Sequence, residues 1–162
     1  MRDSFYRAIS ELAKNDKEVY LICPDFSLPY NFPMKKDNPS QIIQTGLSEQ
    51  ASIGIASGLA LSGFKPYMIA ITPFLIERGF EQIKLDIVQQ KANVKLVGYW
   101  DYPSAGLTHK TQDVKGLCDI AGIKLYTPKS AQEAYNSLIE ESKSNTPAFF
   151  YLTREGAKND IK

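Results

Sequence analysis

Short continuous apolar runs alternate with longer windows of helical period along this chain, and no other feature restricts its fold so strongly. Val19–Cys23 reads Val-Tyr-Leu-Ile-Cys, the pattern of a strand covered on both faces. Before it, Phe5, Ile9 and Leu12 recur at helical spacing until Asn15-Asp16 break the segment. After it, Pro24, Pro29, Pro33 and Pro39 predict an irregular loop over residues 24–40. The pattern then predicts a strand at 42–44, a helix from Ser48 to Ser62, a strand at 66–71 and a helix at 75–90. It continues with a strand at 94–98, a loop at 99–111, a helix at 112–121, a strand at 123–126, a helix at 130–143 and a strand at 148–152. Such alternation predicts an α/β fold: three layers, α/β/α, around a mostly parallel sheet. Without an internal repeat or a linker, 162 residues are expected to form a single domain over 1–162.

Local signals sharpen some boundaries. Ser48 is a candidate N-cap and Gly63 a candidate helix stop. Ser130 followed by Glu133 has the spacing of a capping box. Gly54 and Gly58, four residues apart in one helix, weaken it by about 1 kcal/mol each and predict a close helix–helix approach. That approach lies either within the core or across a subunit interface.

Charge and composition exclude several functions. Nineteen basic residues against eighteen acidic leave a formal charge of +1, too little to attract nucleic acid or anionic lipid as a whole-molecule effect. The start, Met1-Arg2-Asp3-Ser4, lacks the apolar run of a signal peptide, and no stretch approaches membrane-spanning length. A cytoplasmic protein with neither nucleic acid nor membrane partners is expected. Cys23 and Cys118 lack the spacing of a zinc site or disulfide scaffold and read as buried thiols in a reducing compartment.

In parallel sheets of this kind, ligands bind at the carboxyl ends of the strands. Three segments fall there: 45–50, 72–78 and 99–110. The first reads Thr45-Gly46-Leu47-Ser48-Glu49-Gln50 and puts a carboxylate in the first turn of a helix, where the dipole alone already favours it. The second contains Phe74 and Arg78, which by themselves read as a core aromatic and a solvated helix arginine. The third contains His109, the one histidine of the chain, a residue type equally at home in structural and exposed positions.

Taken in order, these segments resemble the pyrimidine-binding domain of transketolases and of 1-deoxyxylulose-5-phosphate synthases. Gly46-Leu47-Ser48-Glu49-Gln50 and the glycine-spaced helix to Gly63-Phe64-Lys65-Pro66 form the first match. Thr72-Pro73-Phe74-Leu75-Ile76-Glu77-Arg78-Gly79-Phe80-Glu81-Gln82-Ile83 forms the second. Leu107-Thr108-His109-Lys110 with Asp113, and Tyr151-Leu152-Thr153-Arg154, form the third and fourth, while Asp3, Phe5 and Asp25 also sit where that family has similar residues. The resemblance covers nearly the whole chain.

It implies a thiamine diphosphate pyrimidine-binding fold and a set of roles. Glu49 matches the glutamate that hydrogen-bonds N1′ of the cofactor's aminopyrimidine and relays its proton, a role that needs a carboxyl group in a mostly apolar pocket. Phe74 matches the aromatic that packs on the pyrimidine, Arg78 an arginine near it, and Asp25 a further position on the cofactor side. Phe80 matches a second pocket aromatic, although its helical spacing favours core packing. His109 matches a histidine that faces the substrate and bonds its reacting oxygens. Arg154 matches the residue that grips a sugar phosphate through bidentate contacts.

Departures from the family pattern carry information too. Loop 99–108 is shorter than usual, with Ala105 where transketolases have an acidic residue and Trp100 near the place of a phosphate-binding histidine. Trp100, with Tyr102, is therefore a candidate substrate-side residue, and an unphosphorylated or unusual sugar is compatible with the loop. Nothing resembles the Gly-Asp-Gly…Asn signature that holds magnesium and diphosphate, and the chain stops soon after Arg154. No metal ligand is therefore expected on this chain. The resemblance implies a split enzyme: a partner subunit, in a heterotetramer, binds the Mg2+ and the diphosphate of thiamine diphosphate. The expected activity is a transketolase-like transfer of a two-carbon ketol unit from a ketose to an aldose. Two alternatives remain: a subunit acting on a 2-oxo acid (decarboxylase, dehydrogenase or deoxyxylulose phosphate synthase-like), or a non-catalytic assembly module.

Overall fold

A computed structural model describes residues 1–24, 32–100, 102–111 and 113–153. Six strands form one sheet: β1 Val19–Cys23, β2 Ile42–Gln44, β3 Lys65–Ile71, β4 Lys95–Tyr99, β5 Lys124–Tyr126 and β6 Ala148–Leu152. Their order is β2-β1-β3-β4-β6-β5, and every pairing is parallel. The expected strands are present within a residue of their bounds.

Alternate residues of each strand face opposite layers. Leu21, Tyr67, Ile69, Val97, Phe150 and Leu152 meet α1 (Arg2–Asn15), α2 (Pro33–Asp37) and α7 (Ala131–Glu141) in one core. Ile22, Met68, Ala70, Leu96 and Phe149 meet α3 (Glu49–Leu61), α4 (Thr72–Ile76) and α6 (Val114–Ala121) in the other. A short helix, α5 (Phe80–Gln82), completes that second layer and runs on as a π-helix over Ile83–Gln89. The expected three-layer α/β/α architecture is therefore observed. Among the described residues no helix is long and apolar enough to cross a membrane.

Several local expectations need correction. The segment 24–40 is not uniformly irregular: Pro33 opens α2, and Pro39–Gln41 makes a 3-10 turn. Proline at a first helical position gives up only an amide that would have had no partner. The helix expected at 75–90 is instead broken into α4, which Pro73 starts early, a turn through Gly79, and the α5–π segment. The loop 99–111 carries two 3-10 turns, Pro103–Ala105 and Leu107–His109.

Caps differ in kind. Ser130 accepts from the Glu133 amide at 3.1 Å, and the Glu133 carboxylate accepts from the Lys129 amide at 2.7 Å. Ser48 holds the N-cap position of α3, but its hydroxyl donates backwards to the Thr45 carbonyl at 3.0 Å instead of accepting from the helix. Gly63 stops α3 with φ of +93°, the Phe64 amide reaching Leu59 O at 3.0 Å and its own reaching Ala60 O at 3.1 Å.

At the amino end of the sheet a buried ion cluster joins β4 to α7. Lys95 and Glu141 are 3.4 Å apart with side chains 3% and 5% exposed. Lys95 also donates to Asn93 Oδ1 at 2.8 Å and to the Thr146 carbonyl at 2.5 Å. Burial pushes the Glu141 carboxyl up, but hydrogen bonds from Ser144, Tyr126 and Lys124 and the Lys95 charge outweigh it and hold it at about 2. Burial is also the largest influence on Lys95, lowering it below the usual ammonium value.

Glu141→Gln is expected to cost about 3 kcal/mol of stability, since it leaves the Lys95 charge buried without its counterion. Because the folded value lies below the ordinary 4.5, this stabilisation is complete above that pH and drains away as pH falls towards 2. Chemical denaturation of both proteins across that range checks it: the gap should be widest near neutrality and close in acid.

Candidate functional site

The loops leaving β2, β3 and β4 converge at the carboxyl end of the sheet, as the three sequence segments predict. After β2 the chain makes a tight turn in which the Thr45 amide donates to Cys23 O at 3.3 Å and Gly46 adopts φ of +74°. Thr45 Oγ1 and Ser52 Oγ lie 2.6 Å apart, and Ser52 Oγ donates to Ser48 O at 2.7 Å. This hydroxyl ladder fixes where α3 starts. Glu49, its first residue, is only 5% exposed.

The second loop brings Phe74 and Arg78. Gly98 in β4 permits the close seating of α4: a Cβ there would stand 2.9 Å from Phe149 and 3.0 Å from Thr72 Oγ1. Gly79 does the same between α4 and α3, since a Cβ would overlap Ile53 Cδ1 and lie 2.7 Å from Leu75 O. With both contacts made, Arg78 Nη1 comes to 3.8 Å from Glu49 Oε2. The Arg78 guanidinium carbon also lies 3.9 Å from the centre of the Phe74 ring.

The third loop delivers His109. Its imidazole meets Phe74 edge-on, with centroids 4.7 Å apart and planes at 74°. Its Nδ1 is 3.0 Å from the Thr108 hydroxyl, and its carbonyl accepts from the Tyr102 amide at 2.8 Å. Glu49, Arg78, Phe74 and His109 thus form one connected set contributed by three loops. A buried carboxylate, an aromatic face and a half-exposed imidazole suit a flat, polar-edged heterocycle with a reacting group beyond it.

Other candidates fall elsewhere. Trp100 packs against the α1-side core, with Arg2 5.8 Å above its ring, in a left-handed backbone of φ +43°. Phe80 packs into the α3-side core, as its spacing suggests. Asp113 caps α6 by accepting from the Gly116 amide at 2.8 Å. Asp25 and Arg154 lie outside the described residues. Cys23 and Cys118 are buried thiols that burial pushes up to about 12.

Gly54 and Gly58 decide against the within-core alternative. Beyond the adjoining residues and the helix's own backbone, no atom stands within 4 Å of a Cβ built on either. Both face outward on α3 beside Ala51, Ile55 and Leu61, with Leu47 just before the helix and Leu85 on the neighbouring π-helix. Leu47 is 74% and Leu61 60% exposed. A helix apolar on all sides is fitted to be covered on all sides. The positions that sequence reasoning missed are Gly79 and Gly98. Their signal was only a glycine beside a helix and one inside a strand, each a marker of close backbone approach.

Comparison with known proteins gives this arrangement a context. The family described as "Transketolase, pyrimidine binding domain" matches residues 1–158. The chain is 31% identical over 137 residues to one subunit of an apulose-4-phosphate transketolase from Phocaeicola vulgatus, covering 82% of this chain and 44% of that protein. It is 34% identical over 131 residues to the same subunit of an apulose-4-phosphate transketolase from Actinobacillus succinogenes, covering 78% and 42%. A solved split-gene transketolase, an inactive beta4 tetramer, superposes with a TM-score of 0.83 at 22% identity, covering 96% of this chain and 51% of that one. The chain therefore spans about half the length of these relatives.

Gly79→Ala is expected to destabilise the chain by about 1–3 kcal/mol through overpacking against Ile53. Gly54→Ala, on the open face, should leave the isolated chain unchanged or slightly more stable. Thermal melts of the two variants check the contrast.

Proposed function

The chain belongs to the transketolase pyrimidine-binding domain family, and from that premise we propose that it is the pyrimidine-binding subunit of a split, thiamine diphosphate-dependent transferase. The reaction is the transfer of a two-carbon ketol unit from a ketose to an aldose. The observation that carries this reading is the Glu49 carboxyl, 5% exposed at the head of α3 and connected through Arg78 to the Phe74 ring.

The residues fit an aminopyrimidine. Glu49 would hold a proton at N1′, which a carboxyl group can relay and an amide cannot. Phe74 offers the ring contact, worth about 0.5–1.5 kcal/mol beyond burial, and Arg78 lines the same seat. When bound, thiamine diphosphate supplies an acidic thiazolium carbon, chemistry that no protein side chain offers. His109, edge-on to Phe74, would bond the reacting oxygens of the sugar. Of the residues outside the described set, Asp25 belongs on the cofactor side and Arg154 on the substrate side. Trp100 packs in the α1-side core, so its expected substrate-side role is indirect, through Tyr102, whose ring it meets and whose amide holds the His109 carbonyl.

The diphosphate and its Mg2+ are held by a partner subunit, in a heterotetramer. Two findings support a partner: the relatives named as single subunits of a transketolase, and the uncovered apolar face of α3 that begins beside Glu49. Such a contact would exclude water from the seat where the carboxyl works. On this reading residues 1–162 form one domain of a cytoplasmic enzyme.

The test is co-purification with the diphosphate-binding subunit, followed by assay with thiamine diphosphate, Mg2+ and a panel of ketose donors and pyruvate. Ketol transfer is expected, and Glu49→Ala should lower kcat by about 100-fold or more. Undiminished turnover in that variant would refute the role of Glu49. Turnover of pyruvate in place of ketoses would move the assignment to 2-oxo acid chemistry.

A further inference from the structure

In the free chain one side chain already makes both contacts that an aminopyrimidine needs. The Arg78 guanidinium lies 3.9 Å over the Phe74 ring and 3.8 Å from Glu49 Oε2. We propose that Arg78 is a placeholder: it occupies the pyrimidine seat, holds Phe74 and Glu49 in position, and must swing away before the cofactor ring can enter. This rests on the function proposed above and concerns how its site is kept and opened.

Three observations support the assignment. First, guanidinium and aminopyrimidine are alike in the features this seat reads: each is planar, carries N–H groups, and can lie on an aromatic face beside a carboxylate. Phe74 is only 7% exposed, with the guanidinium over its face and His109 at its edge. Second, the Arg78 side chain is 49% exposed, whereas that of Glu49 is 6% exposed. The arginine can move into water while the carboxylate stays. Its backbone is meanwhile tied down, its amide donating to Pro73 O at 3.3 Å with Gly79 wedged against Ile53.

Third, 3.8 Å is an ion-pair distance too long for a hydrogen bond, so the contact is given up easily. It nonetheless gives a buried carboxylate a countercharge while the seat awaits its ligand. The arrangement has a consequence for binding. While the guanidinium covers the ring, only a fraction of molecules can accept a cofactor, and apparent affinity falls by that fraction.

Arg78→Met keeps an unbranched apolar stem and removes the planar cation. In the assembled two-subunit complex, stopped-flow and equilibrium titrations with thiamine diphosphate and Mg2+ compare it with the unaltered protein. The variant should associate about threefold faster or more and bind correspondingly tighter, while circular dichroism shows the same fold. In a structure of the loaded complex the guanidinium should have left the Phe74 ring. Equal or slower association in the variant, or a loaded complex with the guanidinium still on that ring, overturns the placeholder. Failure of the unaltered complex to bind thiamine diphosphate at all is a different result: it overturns the proposed function, and the placeholder with it.

Discussion

A carboxylate held out of water at the head of a helix is the constraint around which this molecule is arranged. Burying a charge costs several kcal/mol unless partners repay it, and the surroundings of Glu49 are built to repay only part. The amino end of α3 offers partial positive charge, and Arg78 offers a long ion pair. The hydroxyl ladder of Thr45, Ser48 and Ser52 meets its own needs internally and fixes where α3 begins. What results is a buried carboxyl group with a defined position and one long ion pair to Arg78.

The sheet separates stability from function along its strands. At the amino end of β4, Lys95 and Glu141 sit in a dense set of hydrogen bonds with Asn93, Ser144, Thr146 and Tyr126. Those charges are satisfied. At the carboxyl end the polar groups of the candidate site are linked by long or edge-on contacts, and the loop that carries His109 begins at a strained Trp100 and holds two 3-10 turns. A strand can serve both ends because its side chains bury in two layers between them, so rigidity made at one end is transmitted through packing to the other.

Much of this was legible from residue order. The two-sided apolar runs identified the strands, and their carboxyl ends gave the three segments that converge on the site. The Ser130–Glu133 cap and the Gly63 stop follow from local chemistry, which a short window of sequence contains. The breaking of 75–90 was not legible. It depends on Gly79 meeting Ile53, a residue twenty-six positions earlier in sequence, and no periodicity encodes such a contact.

Sequence alone therefore determined the element types and the three-layer architecture, because both follow from local spacing, while the roles expected of Glu49, Phe74 and His109 came from the resemblance to the family and not from spacing or residue type. Only tertiary structure decided that Arg78 lies on Phe74 and Glu49 together, that Trp100 belongs to the opposite layer, and that Gly54 and Gly58 face outward. Those are relations between segments far apart in the chain, fixed by which surfaces bury against which, and the packing of the whole sheet sets them.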